Sequence, residues 1–176
     1  LSIGGSAQID NLKRIIEGGG QLASLSDRIR RGISYRYTSS VSLDLDRGGG
    51  NYVFTRIQAR GDVIGKPKAG ITWKADNLAR RMDMVAYGED AYGEVTAAFK
   101  RENWKTKVSD WVKNAKSTDN EAVFKDSLSI FEDVEHITLL TKTERDEMIK
   151  WMRSQGYRKW PDGRALEDVF NYERAK

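Results

Sequence analysis

Three observations predict an α+β fold. Apolar residues recur at helical spacing near the start of the chain, short runs of strand-forming residues fill the middle, and a strand-rich stretch from Glu121 to Leu140 leads into a second amphipathic helix. The 176 residues are enough for one domain with a sizeable core, and 39% hydrophobic content with five Trp is the composition of a folded globule.

Taken in order, Ser2-Ile3-Gly4-Gly5-Ser6 reads as a first strand ending in a turn, where paired glycines let the backbone approach a neighbour closely. Ile9, Leu12, Ile15 and Ile16 then draw one helix face, and Gly18-Gly19-Gly20 stops it. That triple glycine is no phosphate-binding loop, since neither Gly-Lys-Ser/Thr nor Gly-x-Gly-x-x-Gly accompanies it. Arg28-Ile29-Arg30-Arg31 puts three guanidinium groups in four positions, either as a solvated basic turn or as forks for pyrophosphate oxygens. Tyr35 to Ser42 alternates into a hydroxyl cluster at Thr38, Ser39 and Ser40, the pattern of a polar edge strand. The following Asp44-x-Asp46 with its glycines fails as a calcium loop, because Thr55 stands where a bidentate Glu is needed.

Tyr52 to Ile57 and Ile71-Thr72-Trp73 read as strands, with a loop punctuated by Gly61, Gly65 and Pro67 between them. Asp76 to Asp83 reads as an exposed loop or helix before the aromatic turn from Tyr87 to Glu94. Trp104, Val108, Trp111, Val112 and Ala115 form an apolar stripe on a helix from about Arg101 to Lys116, whose other side is rich in Lys. Beyond the strands that follow, Thr141-x-x-Glu144 and Thr143-x-x-Asp146 are both capping arrangements for a helix burying Met148, Ile149 and Met152 and ending at Gly156. Trp160 to Arg164 is a turn, and Leu166, Val169 and Phe170 close the chain with an apolar segment.

The chemistry available is narrow. There is no Cys, which excludes disulfides and thiolates, and the single His136 excludes most His-based metal sites and triads; no metal is expected. Carboxylates, hydroxyls, Lys and Arg remain. Charge is unevenly placed: residues 1–116 carry 20 Lys and Arg against 13 Asp and Glu, a net +7, while residues 117–176 carry 10 against 13, a net −3. A basic front attracts nucleic acid or a phosphorylated ligand, or is simply a soluble surface. No apolar run approaches the length of a transmembrane span. The chain opens on Leu1 rather than Met, as expected of a domain cut from a longer protein.

Glu121 stands out. It follows the polar stretch from Lys113 to Asn120 and precedes Ala122-Val123-Phe124-Lys125, so a loop delivers a lone acid to the mouth of a sheet. An ordinary solvated Glu at a strand edge is the alternative. The order Asn120-Glu121-x-x-Phe124-Lys125, Glu135-His136-Ile137-Thr138, a helix with Arg145 and Ile149, then Gly163-Arg164-x-Leu166-Glu167 resembles the C-terminal half of ADP-ribosyltransferase-like toxin domains of bacteria and phages. Ile9-Asp10-Asn11-Leu12 with Gly18 to Leu22, and the strand at Tyr52 to Ile57, resemble its front half.

The resemblance implies split, mostly antiparallel sheets around an NAD cleft with flanking helices, in a single domain over residues 1–176. It implies transfer of ADP-ribose from NAD, as co-substrate, to a macromolecule. Glu121 takes the place of the catalytic carboxylate, Thr38, Ser39 and Ser40 that of the hydroxyl-rich strand end at the cofactor, and Asp119 and Asn120 that of the acceptor-facing loop. Asp119 departs from the family's usual Glu or Gln, so no acceptor preference carries over. Where the family has a basic clamp this chain has Gly5, so the backbone of Gly5 and Ser6, or another Arg such as Arg31, fills that role. The acceptor is nucleic acid, slightly favoured by the basic front, or protein; water would give NAD hydrolysis. A neutralising immunity or antitoxin partner, and action in the cytoplasm of the producing or target cell, belong to the same expectation. The alternative is a basic nucleic-acid-binding or virion-associated module that keeps the fold without NAD turnover, using Arg28, Arg30, Arg31 and the Lys-rich helix.

Overall fold

The computed structural model describes residues 6–33, 39–55, 70–78, 80–81, 84–87 and 121–172. In chain order these form α1 (Ser6–Glu17), β1 (Gln21–Ala23), α2 (Leu25–Arg30), α3 (Ser39–Asp46), a single 3-10 turn (Gly49–Asn51), β2 (Tyr52–Thr55), β3 (Gly70–Trp73), α4 (Ala75–Leu78) and β4 (Met84–Tyr87). After residue 120 come β5 (Glu121–Lys125), β6 (Ser127–Ser129), α5 (Ile130–Asp133), β7 (Val134–Leu139), α6 (Lys142–Ser154), α7 (Leu166–Val169) and β8 (Phe170–Tyr172). The class is α+β with small, mostly antiparallel sheets. Contacts group the chain into two compact units, Leu1–Gln21 with Gly65–Leu78 and Ser129–Lys176, and Leu22–Ile64 with Ala79–Leu128.

The first unit is built around a sheet ordered β3-β7-β8, antiparallel between β3 and β7 and parallel between β7 and β8. Its core gathers Ile9, Leu12 and Ile16 of α1, Val134, Ile137 and Leu139 of β7, Met148, Ile149 and Met152 of α6, and Leu166, Val169 and Phe170 at the end. The periodicity read from the sequence therefore buries the faces it predicts on α1 and α6. Helix α1 ends in two crossing bonds, Gly20 N–H to Ile15 O at 2.8 Å and Gly19 N–H to Ile16 O at 3.1 Å, a Schellman end that needs the left-handed φ of 86° at Gly19. Helix α6 starts on the capping box of Thr141 and Glu144, so Thr143 and Asp146 lie inside the helix rather than at its cap.

The turn at Trp160 is fixed by Trp160 N–H to Arg164 O (2.9 Å) and Gly163 N–H to Trp160 O (2.8 Å). From it Arg164 donates to the carbonyls of Val134 (2.7 Å) and Glu135 and to the Asp162 carboxylate (2.8 Å), which also accepts from Lys74 at 3.0 Å. The bond from Arg164, then that from Lys74, hold Asp162 well below the usual carboxylate range against the opposing effect of burial. Trp160 is wholly buried, edge-on to Phe131 and to Phe170 with ring centres 5.4 and 5.7 Å away.

The second unit carries a sheet ordered β2-β5-β4, antiparallel throughout, while β1 and β6 make a separate pair. The Ser39 and Ser40 expectation is corrected here: both open helix α3 rather than ending a strand. Val41 and Leu45 are four apart on that helix, and the Leu45 side chain lies where a Cβ on Gly50 would stand, 2.8 Å away. A helix with Leu45 packed on the buried Gly50 thus stands where the alternating polar pattern predicts a strand. Arg28 and Arg30 likewise lie in the last turn of α2 rather than in a loop.

Candidate functional site

Glu121 is the first residue of β5, the central strand of its sheet, opposite Tyr87 of β4. The three residues after it, Ala122, Val123 and Phe124, are all buried, so a short apolar strand anchors the backbone at its polar end. On the β2 side Thr55 stands opposite Ala122, and its hydroxyl donates to Ala122 O at 2.7 Å. This bond ties down the peptide next to Glu121.

The far end of β5 is held as firmly. Asp126, with φ of 64°, turns the chain between β5 and β6; its N–H donates to Asn51 O (2.8 Å) and its carbonyl accepts from Ser24 N–H (2.7 Å). Arg81 donates to the carbonyls of Ser127 (2.8 Å) and Lys125 (3.3 Å), with its guanidinium 5.4 Å from the Phe124 ring centre. A strand braced at both ends is a rigid support for a functional side chain at its mouth.

A second cluster sits on α2. Ser24 caps this helix by accepting from Asp27 N–H at 3.3 Å, and Asp27 itself is buried, only 3% exposed. Arg30 donates to one carboxylate oxygen of Asp27, and Arg31 lies 2.8 Å from the other. That second approach is off the direction a hydrogen bond requires, so the oxygen is paired by charge while unsatisfied as an acceptor.

Of the residues predicted to form the site, Arg31, Ser39, Ser40 and Glu121 belong to the second unit, and Ser6 opens α1 in the first. Gly5, Thr38, Asp119 and Asn120 lie outside the described residues, as do the predicted first strand and the Lys-rich helix. Sequence reasoning missed Asp27, Thr55 and Arg81. The spacing of Asp27 from Arg30 and Arg31, three and four residues, was the available signal for the first; a lone Thr in a strand gives none. Among the described residues no group of three His, Cys, Asp or Glu could hold a metal, and no helix is long and apolar enough to cross a membrane. No family model, curated protein or solved structure matches the chain.

Proposed function

We propose that the chain is an ADP-ribosyltransferase of the toxin-like kind, transferring ADP-ribose from NAD to a macromolecular acceptor with Glu121 as its catalytic carboxylate. The observation that carries this reading is the position of Glu121 at the mouth of the central strand β5, directly after the polar stretch ending in Asp119 and Asn120. The resemblance of the ordered motifs to that family supports it, and so does an α+β fold with mostly antiparallel sheets.

Cleavage of the bond between nicotinamide and ribose passes through a state with positive charge on the ribose. A fixed carboxylate lowers the energy of that state and orients the ribose hydroxyls by hydrogen bonding. Glu121 performs this role, and it accepts the proton of the incoming hydroxyl or amine as the new bond forms. Arg31 suits the pyrophosphate, because its guanidinium is paired with Asp27 by charge and still half-exposed. Ser39 and Ser40, at the start of α3, remain the expected hydroxyl-bearing residues of the cofactor site. The acceptor is nucleic acid, in keeping with the net +7 of residues 1–116, with protein as the other candidate.

The test is NAD consumption by the purified chain and its Glu121→Gln variant, with labelled NAD offered to total RNA, DNA and cell lysate in parallel. Loss of one electrostatic stabiliser costs about a hundredfold or more in rate. Wild-type turnover that falls by that much in the variant supports the proposal, and label transfer names the acceptor. Equal rates in the two proteins, or none with any acceptor, refute it.

A further inference from the structure

We infer that Arg30 and Arg31, held side by side by the buried carboxylate of Asp27, form a receptor for the phosphate or pyrophosphate group of a nucleotide. The argument begins with the cost of Asp27. A carboxylate that is 3% exposed has given up its water, and one of its oxygens accepts no hydrogen bond among the described residues. An ion pair of this kind adds little stability over apolar residues of the same size, so its effect lies in what it arranges.

What it arranges is two guanidinium groups on one carboxylate, Arg30 at one oxygen and Arg31 at the other. Left alone, like charges at adjacent positions swing apart into water. Here both are drawn to a fixed point while their side chains stay 74% and 47% exposed. Asp27 cancels one of the two charges, leaving a net positive cluster to which Arg28, on the same helix, adds. Among the described residues neither guanidinium has any other partner. Planar N–H forks with donors turned to solvent match phosphate oxygens, and holding them in place beforehand removes much of the ordering cost of binding.

This receptor adds Arg30 as a second arm and Asp27 as the positioning residue to the site proposed above, yet it does not require NAD turnover. Its test is calorimetric titration of the full chain with inorganic pyrophosphate at fixed ionic strength. Arg30→Ala and Arg31→Ala should each weaken binding about tenfold or more, the loss of a charge-assisted contact. Arg31→Lys, which keeps the charge and loses the fork, should weaken it as well, and Arg158→Ala, an exposed arginine of the first unit, should leave it unchanged. Asp27→Asn should weaken binding although it raises the net charge, a result that general attraction cannot give; if that variant does not fold, the arginine series decides. A flat wild-type isotherm, or equal weakening by all three alanine variants, overturns the receptor. Pyrophosphate binding without NAD consumption would sink only the transferase reading, and NAD consumption without pyrophosphate binding only the receptor.

Discussion

Replacing Gly20 by Ala puts two separate strains on the structure. The residue has φ of 74°, which an L side chain adopts at a cost of about 1–2 kcal/mol. Its new Cβ would also stand 2.5, 2.7 and 2.8 Å from three atoms of the Phe131 ring, closer than carbon atoms can approach. Phe131 cannot easily give way, because Trp160 lies edge-on at 5.4 Å and Tyr157 packs at 6.0 Å. Overpacking of this kind costs about 1–3 kcal/mol, so the sum is about 2–5 kcal/mol, a large part of the roughly 5–15 kcal/mol that holds a domain together. Gly19→Ala provides the comparison: φ is 86°, but nothing lies within 4 Å of the added Cβ, so only the backbone cost applies. Urea unfolding of both variants and of the wild type separates the two strains. In a Phe131→Ala background the excess cost of Gly20→Ala over Gly19→Ala should vanish. Equal losses for the two glycine variants would show that the ring contact does not matter and would refute the reasoning.

Three further outcomes can be measured on the same footing. Thr141→Ala removes the oxygen that accepts from Glu144 N–H at 3.1 Å, and should lower stability by about 1 kcal/mol with no change in the urea m-value. The folded-state pKa of Asp162 is depressed, so its contribution is fully present above the ordinary carboxylate pKa and is lost as pH falls below it. The urea midpoint of wild type should therefore drop more than that of Asp162→Asn between about pH 6 and about pH 2, and parallel profiles would count against the Arg164 and Lys74 contacts. Asp126→Gly should be near neutral and Asp126→Val clearly destabilising, by about 1–2 kcal/mol, since φ of 64° suits glycine and not a β-branched residue; equal losses would mean that the corner is not left-handed.

How far the sequence could be read depended on whether each signal was local. Ile9, Leu12 and Ile16 show α1 because their spacing alone defines a face, and Thr141 with Glu144 shows the start of α6 because a capping box is closed within four residues. Glycines 19 and 156 mark helix ends for the same reason. Strands β2, β3 and β5 were legible from composition. Helix α3 was not, because its hydroxyl and apolar residues alternate as a strand's do, while the contact of Leu45 with Gly50 involves a residue with no side chain to show it. Asp27 was passed over among three conspicuous arginines, although its burial is what gives Arg30 and Arg31 their arrangement. Thr55 is significant only through Ala122, sixty-seven residues away.

The interleaving of the two units bears on how the protein can be made. The second unit has all its segments once residue 128 has left the ribosome, whereas the first holds Leu1–Gln21 from the outset and waits for Ser129–Lys176. Throughout that interval Ile9, Leu12 and Ile16 have none of their β7, α6 or β8 partners, so the apolar face of α1 waits for that later segment to be covered. Contacts spanning more than a hundred residues make assembly slow, and the nascent chain carries an adhesive stripe on α1 until Ser129–Lys176 has been made. A stop codon just after Leu128 would yield that stripe permanently exposed, a truncated product prone to aggregate even with every strand of the β2-β5-β4 sheet present.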